Sequence, residues 1–221
     1  MNEITWHVVP SQTPNIIRHC SKCNRKMPYY CSEKFRANAN QSRVDVWLIF
    51  KCSKCDNTWK LMLFKGIRPH ELPAGLFDKF IDNDKNLAWQ YAFDRNLLKQ
   101  HDCIVDYSDV DYIVENEPKS PNYNHYPSKK ADKAISPRRK RGEVAVDFQG
   151  ETLYNEPVLI YVKCLFSFDL KLSALLAKML NTSIGQIKRL VENGNIITCQ
   201  DIDIMKYRFK TEHDISVRID L

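Results

Sequence analysis

The sequence predicts an α+β chain, and three features predict it. Two Cys-x-x-Cys pairs sit among runs of β-branched and aromatic residues. Apolar stripes at helical spacing follow them. The chain then closes on two short amphipathic helices and further strand-like alternation. On these patterns residues 1–68 form an antiparallel ribbon, 69–117 an acidic helical connector, 118–142 a basic proline-containing loop or linker, and 143–221 a small αβ unit.

The cysteine pairs, Cys20/Cys23 and Cys52/Cys55, stand in nearly the same local sequence, Cys-Ser-Lys-Cys-Asn and Cys-Ser-Lys-Cys-Asp. Two intervening residues let both sulfurs of one tight turn face a single cation, and two such turns complete a tetrahedral four-thiolate shell. That shell suits zinc, so one structural zinc and a zinc ribbon are expected. The residue after the second cysteine of such a turn often needs positive φ. Asn24 and Asp56 are the types that tolerate it best after glycine.

Disulfides are the rival reading. Residues 1–16 carry no basic segment leading into a long apolar run, and the longest apolar runs, Val46–Phe50 and Val158–Val162, are far too short to span a bilayer. A reducing cytoplasm and no membrane partner are therefore expected, and there Cys-x-x-Cys reads as metal or redox chemistry. Cys31 lies between the pairs, and whether it contributes to the metal site stays open. Cys103, Cys164 and Cys199 stand alone and read as small core residues.

The net charge of +6 is unevenly spread. Residues 1–68 hold 12 Lys/Arg against 4 Asp/Glu, and 69–118 hold 4 against 11. Residues 119–143 hold 8 against 2, and 144–221 hold 9 against 10. Basic blocks of this kind are either solvated surface or a nucleic-acid footprint.

Element by element, Val44–Phe50 and Thr58–Phe64 read as strands of a hairpin whose turn is the second cysteine pair. Phe35–Arg43 supplies turn residues before the first of them. Glu71–Asp82 carries Leu72, Leu76, Phe77 and Phe80 at helical spacing. A second helix, capped by Asn83 or Asp84, carries Leu87, Tyr91, Leu97 and Leu98. Residues 104–114 read as one strand. Residues 118–142 hold four prolines and the Arg138–Arg141 run, and make no core. Val158–Val162 is a strand, and Leu172, Leu175, Leu176, Met179 and Leu180 stripe a helix. Ser183 and Gln186 open another that Gly194 closes. Met205–Lys210 and Ile215–Ile219 alternate as strands.

Two resemblances follow. Phe35-Arg-Ala-Asn-Ala-Asn, Val44-Asp-Val-Trp-Leu-Ile and the Cys52 turn together resemble an uncharacterised bacterial family, domain of unknown function family 1062, which implies no activity. Residues 170–220 resemble the small RNA-binding domain named after ribosomal small-subunit protein four. The stretches are Lys171-Leu-Ser-Ala-Leu-Leu, then Ser183-Ile-Gly-Gln-Ile-Lys-Arg-Leu-Val-Glu-Asn-Gly194, and His213-Asp-Ile-Ser-Val. Ile184 stands where that domain usually has Arg, and Thr198-Cys199-Gln200 replaces its usual Val-Asn-Gly turn.

That resemblance implies RNA, or a ribosomal particle, as partner. The residues that would contact phosphates are Lys171 and Lys178 on the first helix, Lys188 and Arg189 on the second, and Lys206, Arg208 and Lys210 on a strand. Two further classes stay open. One is a protein–protein adaptor presenting Trp47 and Trp59. The other is a thiol-based redox switch acting through the four cysteines. No Gly-rich phosphate loop appears among the 6 glycines, and a four-thiolate zinc has no open position for hydrolysis, so the expectation leans away from an enzyme.

Overall fold

A computed structural model describes residues 2–40, 42–115, 157–209 and 214–220. It is a mixed α+β chain with two five-stranded sheets, and it divides into two compact units, residues 12–110 and residues 1–11 with 111–221. The expected loop 118–142, Lys210 and His213 lie outside the described residues.

The unit of residues 12–110 is built on β2 (Asn15–Cys20), β3 (Arg25–Asn40), β4 (Arg43–Cys52), β5 (Thr58–Ile67) and β6 (Ile104–Asp106), in the sheet order β5-β4-β3-β2-β6. All its pairings are antiparallel. Along β4 burial alternates strictly: Val44, Val46, Leu48, Phe50 and Cys52 are buried, and the residues between them are not. The buried set meets three helices, α1 (Leu76–Ile81), α2 (Lys85–Phe93) and α3 (Arg95–Gln100). Leu48 and Phe50 share a core with Ala88, Ala92 and Leu98, and Val44 and Val46 share one with Phe80 and Leu87. Phe35 meets Phe80 edge-on at 5.0 Å.

Two helical expectations are corrected. The Glu71–Asp82 stretch becomes a single 3-10 turn, Pro69–Glu71, followed by α1 from Leu76, because Pro73 and the left-handed Gly75 (φ +74°) interrupt it. The expected second helix is two. Asp84 caps α2, accepting from the Leu87 N–H at 2.7 Å. Asp94 ends α2 and caps α3 by accepting from Asn96 and Leu97.

Two strand expectations in this region also change. Phe35–Asn40 is not turn but the second half of β3, paired with β4 through to Asn40↔Arg43. A bulge between Cys31 and Lys34 lets the long strand bend; Glu33 takes φ +58° there, and its carboxylate accepts from the Trp89 indole at 2.9 Å. Residues 104–114 make two strands in different sheets, β6 and β7 (Tyr112–Glu115), because a turn at Tyr107–Val110 separates them.

The other unit holds β1 (Asn2–Pro10), β7, β8 (Val158–Cys164), β9 (Ile196–Thr198) and β10 (Ile215–Ile219), in the order β7-β1-β8-β10-β9. Residues 1–11 thus group differently from the expected ribbon of residues 1–68: β1 runs parallel to β8, with Trp6 opposite Val162, and pairs antiparallel with β7 on its other edge. Trp6 and Val8 are buried in this unit. The helices are α4 (Leu172–Met179) and α5 (Ile184–Glu192); α5 packs on α4 and on β9.

Met205–Phe209 is not a strand. Asp203 accepts from the Met205 and Lys206 N–H groups in a turn, leaving one isolated bridge, Arg208 to Lys171. Ser183 caps α5 by accepting from the Gln186 N–H at 3.1 Å, and Gly194 (φ +78°) ends it, with the Asn195 N–H bonded to the Leu190 carbonyl at 2.8 Å. Ser183→Ala is expected to cost about 1 kcal/mol, read as a lower denaturation midpoint for this unit.

Candidate metal centre

An antiparallel meander puts every second turn at the same end of its sheet. The β2–β3 and β4–β5 connections are therefore neighbours, and the register sets Tyr29 opposite Cys52 while Cys20 lies opposite Arg25. Each connection is a tight Cys-x-x-Cys turn. In the second, the Asp56 N–H bonds to the Cys52 carbonyl at 3.0 Å and the Cys52 N–H to the Asn57 carbonyl at 2.9 Å. The reversal needs a left-handed residue, and Asn24 (φ +50°) and Asp56 (φ +54°) supply it as expected. Three contacts lock this end of the sheet. The Ser53 N–H reaches the Pro28 carbonyl at 3.0 Å, Asn57 reaches the Ser21 hydroxyl at 3.4 Å, and Tyr30 donates to the Asp56 carboxylate at 2.9 Å.

The result is a cluster of four thiols, Cys20, Cys23, Cys52 and Cys55, whose sulfurs all lie within 4.8 Å of one another. Cys20 and Cys55 are 3.5 Å apart, and Cys23 and Cys52 are 3.9 Å apart. Cys20 and Cys52 are buried, whereas Cys23 and Cys55 are partly exposed, so the cluster opens at the rim of the unit. Such a group could hold a metal ion. Cys31 is buried in the core beside the cluster but is not one of the four.

The thiols are electrostatically unequal. A hydrogen bond from Tyr29 holds Cys20 down at about 5, against the opposing effect of burial. Hydrogen bonding with Cys55, then burial, pushes Cys23 up to about 12. Bonds from the Asn57 backbone and Cys23 lower Cys55, but burial and hydrogen bonding with Cys20 and Cys52 raise it overall. One favoured thiolate, with Cys23 and Cys55 pushed toward the thiol, is a donor set that a divalent cation would deprotonate on binding. Tyr29, 2% exposed and itself raised to about 12 by burial and by its bond to Cys20, is a neighbour of the cluster that motif reading missed. Its signal lay in the hairpin register, which sets it directly across from Cys52.

Six of the seven expected phosphate-contacting residues are described, and Lys171 and Arg208 face each other across the isolated bridge. Lys171 stands at the N-cap position of α4 without a side-chain capping bond, Lys178 lies in its last turn, and Lys188 and Arg189 stand on α5. Lys178 is engaged by Asp111 at 3.7 Å and by the Tyr112 ring at 4.0 Å. Lys188 pairs with Glu192 at 3.7 Å, Lys206 with Asp203 at 3.1 Å, and Arg208 with Asp169. Among the described residues Lys171 and Arg189 form no ion pair. Trp59 packs inward against Phe50 with Arg18 over its ring at 4.1 Å, while Trp47 lies on the opposite face of the sheet.

A cavity of about 460 Å³ borders α3, lined by Arg95, Leu98, Lys99, Asp102, Cys103, Val105 and Tyr107. Burial pushes the Cys103 thiol up, with Arg18 opposing, which makes it a weak nucleophile.

Fold and site together define a two-unit α+β protein with a four-cysteine candidate metal site. A family model described as a protein of unknown function (DUF1062) matches residues 37–131, a span that includes Trp47, Cys52 and Cys55 and supports the first of the two resemblances. No curated protein and no solved structure matches the chain. Among the described residues no helix is long and apolar enough to cross a membrane.

Proposed function

We propose that Cys20, Cys23, Cys52 and Cys55 hold one structural zinc ion, that residues 12–110 are a zinc-ribbon unit organised by it, and that the chain is a binding protein rather than a hydrolase. One observation carries this: the sulfur separations of 3.5 and 3.9 Å bracket the edge of about 3.8 Å that follows from tetrahedral Zn–S bonds. Four thiolates leave no open coordination position, so the ion would hold the two turns together and activate no water. Native mass spectrometry of protein purified without chelator is expected to find one zinc per chain. Iron in its place, or no metal, would overturn the assignment.

A second reading takes structured RNA, or a ribosomal particle, as partner of the C-terminal unit. The packed α4–α5 pair, with its Ser183 cap on α5 and with Arg189 and Lys171 outside any ion pair among the described residues, favours it. The surface pairs of Lys188, Lys206 and Arg208 are weak enough to exchange a carboxylate for a phosphate. Binding to a structured RNA should then fall steeply with salt, and Lys188→Ala/Arg189→Ala should weaken it. Salt-insensitive binding, or none at low salt, would remove this reading and favour a protein partner.

A further inference from the structure

We infer that the open face of the β3–β4–β5 sheet is a docking surface for single-stranded RNA. The inference goes beyond the C-terminal reading, since it concerns the other compact unit.

The helices of residues 12–110 pack against one face of the sheet only, where Leu48, Phe50, Val44 and Val46 are buried among them. Strand alternation sends the intervening residues to the opposite face. The register arranges these in three cross-strand rows. Arg36, Trp47 and Met62 make the first, Lys34, Ile49 and Lys60 the second, and Tyr30, Lys51 and Thr58 the third. Trp47 and Ile49 are half-buried, and Lys34, Arg36 and Lys60 are exposed. The face therefore offers an indole and an isoleucine ringed by four cations.

Two features bear on a ligand for this face. Lys34, Arg36, Lys51 and Lys60 gather on three adjacent rows, and among the described residues none of them is in an ion pair. Two carboxylates border these rows: Asp45, opposite Asn38, accepts from the Gly66 N–H at 2.6 Å, and Asp56 accepts from the Tyr30 hydroxyl at 2.9 Å. Same-sign side chains on adjacent strands repel and cost stability, a cost that a polyanion removes. The second feature is the Trp47 ring, which carries the Lys60 ammonium over its face at 5.5 Å. A ring face that accepts a cation from solvent is open to a stacked base.

The combination selects the partner. Phosphates at regular spacing match a cation ladder, and an unpaired base matches a half-buried indole on a sheet face; this is the stacking-plus-backbone mode of single-strand recognition. A duplex keeps its bases stacked on one another and cannot use Trp47. The Thr58 hydroxyl, exposed on the third row, can bond a ribose 2′-hydroxyl, the group that distinguishes RNA from DNA.

The test is fluorescence anisotropy of the full chain, metal-loaded as purified, with a labelled oligo-U of about 12 nucleotides at about 50 mM salt and above. Oligo-U should bind more tightly than oligo-dT or an RNA duplex of equal length. Trp47→Ala should weaken it roughly tenfold, and Trp47→Phe, which keeps a ring, should restore most of that. Lys34→Ala/Arg36→Ala/Lys60→Ala should weaken binding and reduce the log–log salt slope by about 2. Lys188→Ala/Arg189→Ala should leave oligo-U binding unchanged, which separates this surface from the C-terminal one. Absence of binding, equal affinity for the duplex, preference for oligo-dT, equal affinity for polyglutamate, or indifference to both Trp47→Ala and the triple variant would each overturn the inference. Circular dichroism of each variant at the assay temperature verifies that the unit remains folded.

Discussion

Cys52→Ser will abolish metal retention and unfold most of residues 12–110. Cys52 ends β4, is fully buried, and belongs to the same core as Phe50, Leu48 and Tyr29. Its sulfur sits 3.9 Å from that of Cys23, so its loss removes a ligand and a core atom together. Structural zinc contributes an apparent free energy of about 10–16 kcal/mol in small zinc-dependent units, against a total stability of about 5–15 kcal/mol for an ordinary domain. A hydroxyl is a poor substitute for a thiolate, so most of that contribution goes.

The expected readouts are metal stoichiometry falling from one to zero and loss of amide protection across β3, β4 and β5, with protection kept in β8 and β10, which belong to the other unit. Cys199→Ser, at an exposed cysteine outside the cluster, is the control and should change neither. Full metal retention by Cys52→Ser would refute the four-thiolate site. Graded acidification offers an independent check. Thiolates must lose protons to bind metal, so the ion should be retained at neutral pH and released as the pH falls.

Motif spacing made the four-cysteine cluster legible because four candidate ligands on two tight turns leave their signature within a few residues. Asn24 and Asp56 could be read for the same reason: positive φ is a local property. The capping residues Asp84 and Ser183, and the stop at Gly194, are local too. What escaped was set by distant partners. Asn38 and Ala37 look like turn residues, yet they extend β3 because Asp45 and Val46 pair with them across the hairpin. Met205, Tyr207 and Phe209 alternate like a strand, but Asp203 captures two N–H groups and winds the segment into a turn. The phosphate-contacting residues expected in the C-terminal unit were chosen from a resemblance and from shared helix and strand faces; two of their carboxylate partners, Asp111 and Asp169, lie dozens of residues away in sequence, whereas Glu192 and Asp203 are local. Trp47 was singled out, but its surrounding cations become visible only when the register places Arg36, Lys34 and Lys60 beside it.

The N-terminal strand is the largest such case, and it carries the second strong prediction. Trp6→Ala should destabilise the unit of residues 1–11 and 111–221 by about 3–5 kcal/mol, lowering its unfolding midpoint by more than about 10 °C. β1 is an interior strand of that sheet, held between β7 and β8, and Trp6 is 2% exposed. Among the described residues its indole nitrogen is buried without a hydrogen-bond partner, so the substitution removes packing and no bond. Trp6→Phe therefore separates the causes. It keeps an aromatic ring, discards an unsatisfied N–H, and should recover much of the loss. Amide protection in Val158–Cys164 should fall in Trp6→Ala, while metal stoichiometry should not change, because the four cysteines belong to the other compact unit. Unaltered protection in β8 would refute the parallel β1–β8 pairing. That pairing joins residues more than 150 positions apart, so β8 acquires its β1 neighbour only by closing a very long loop. Refolding of this sheet should accordingly be slower than that of the meander, whose strands are sequence neighbours, and stopped-flow hydrogen exchange on the two sheets would resolve the order.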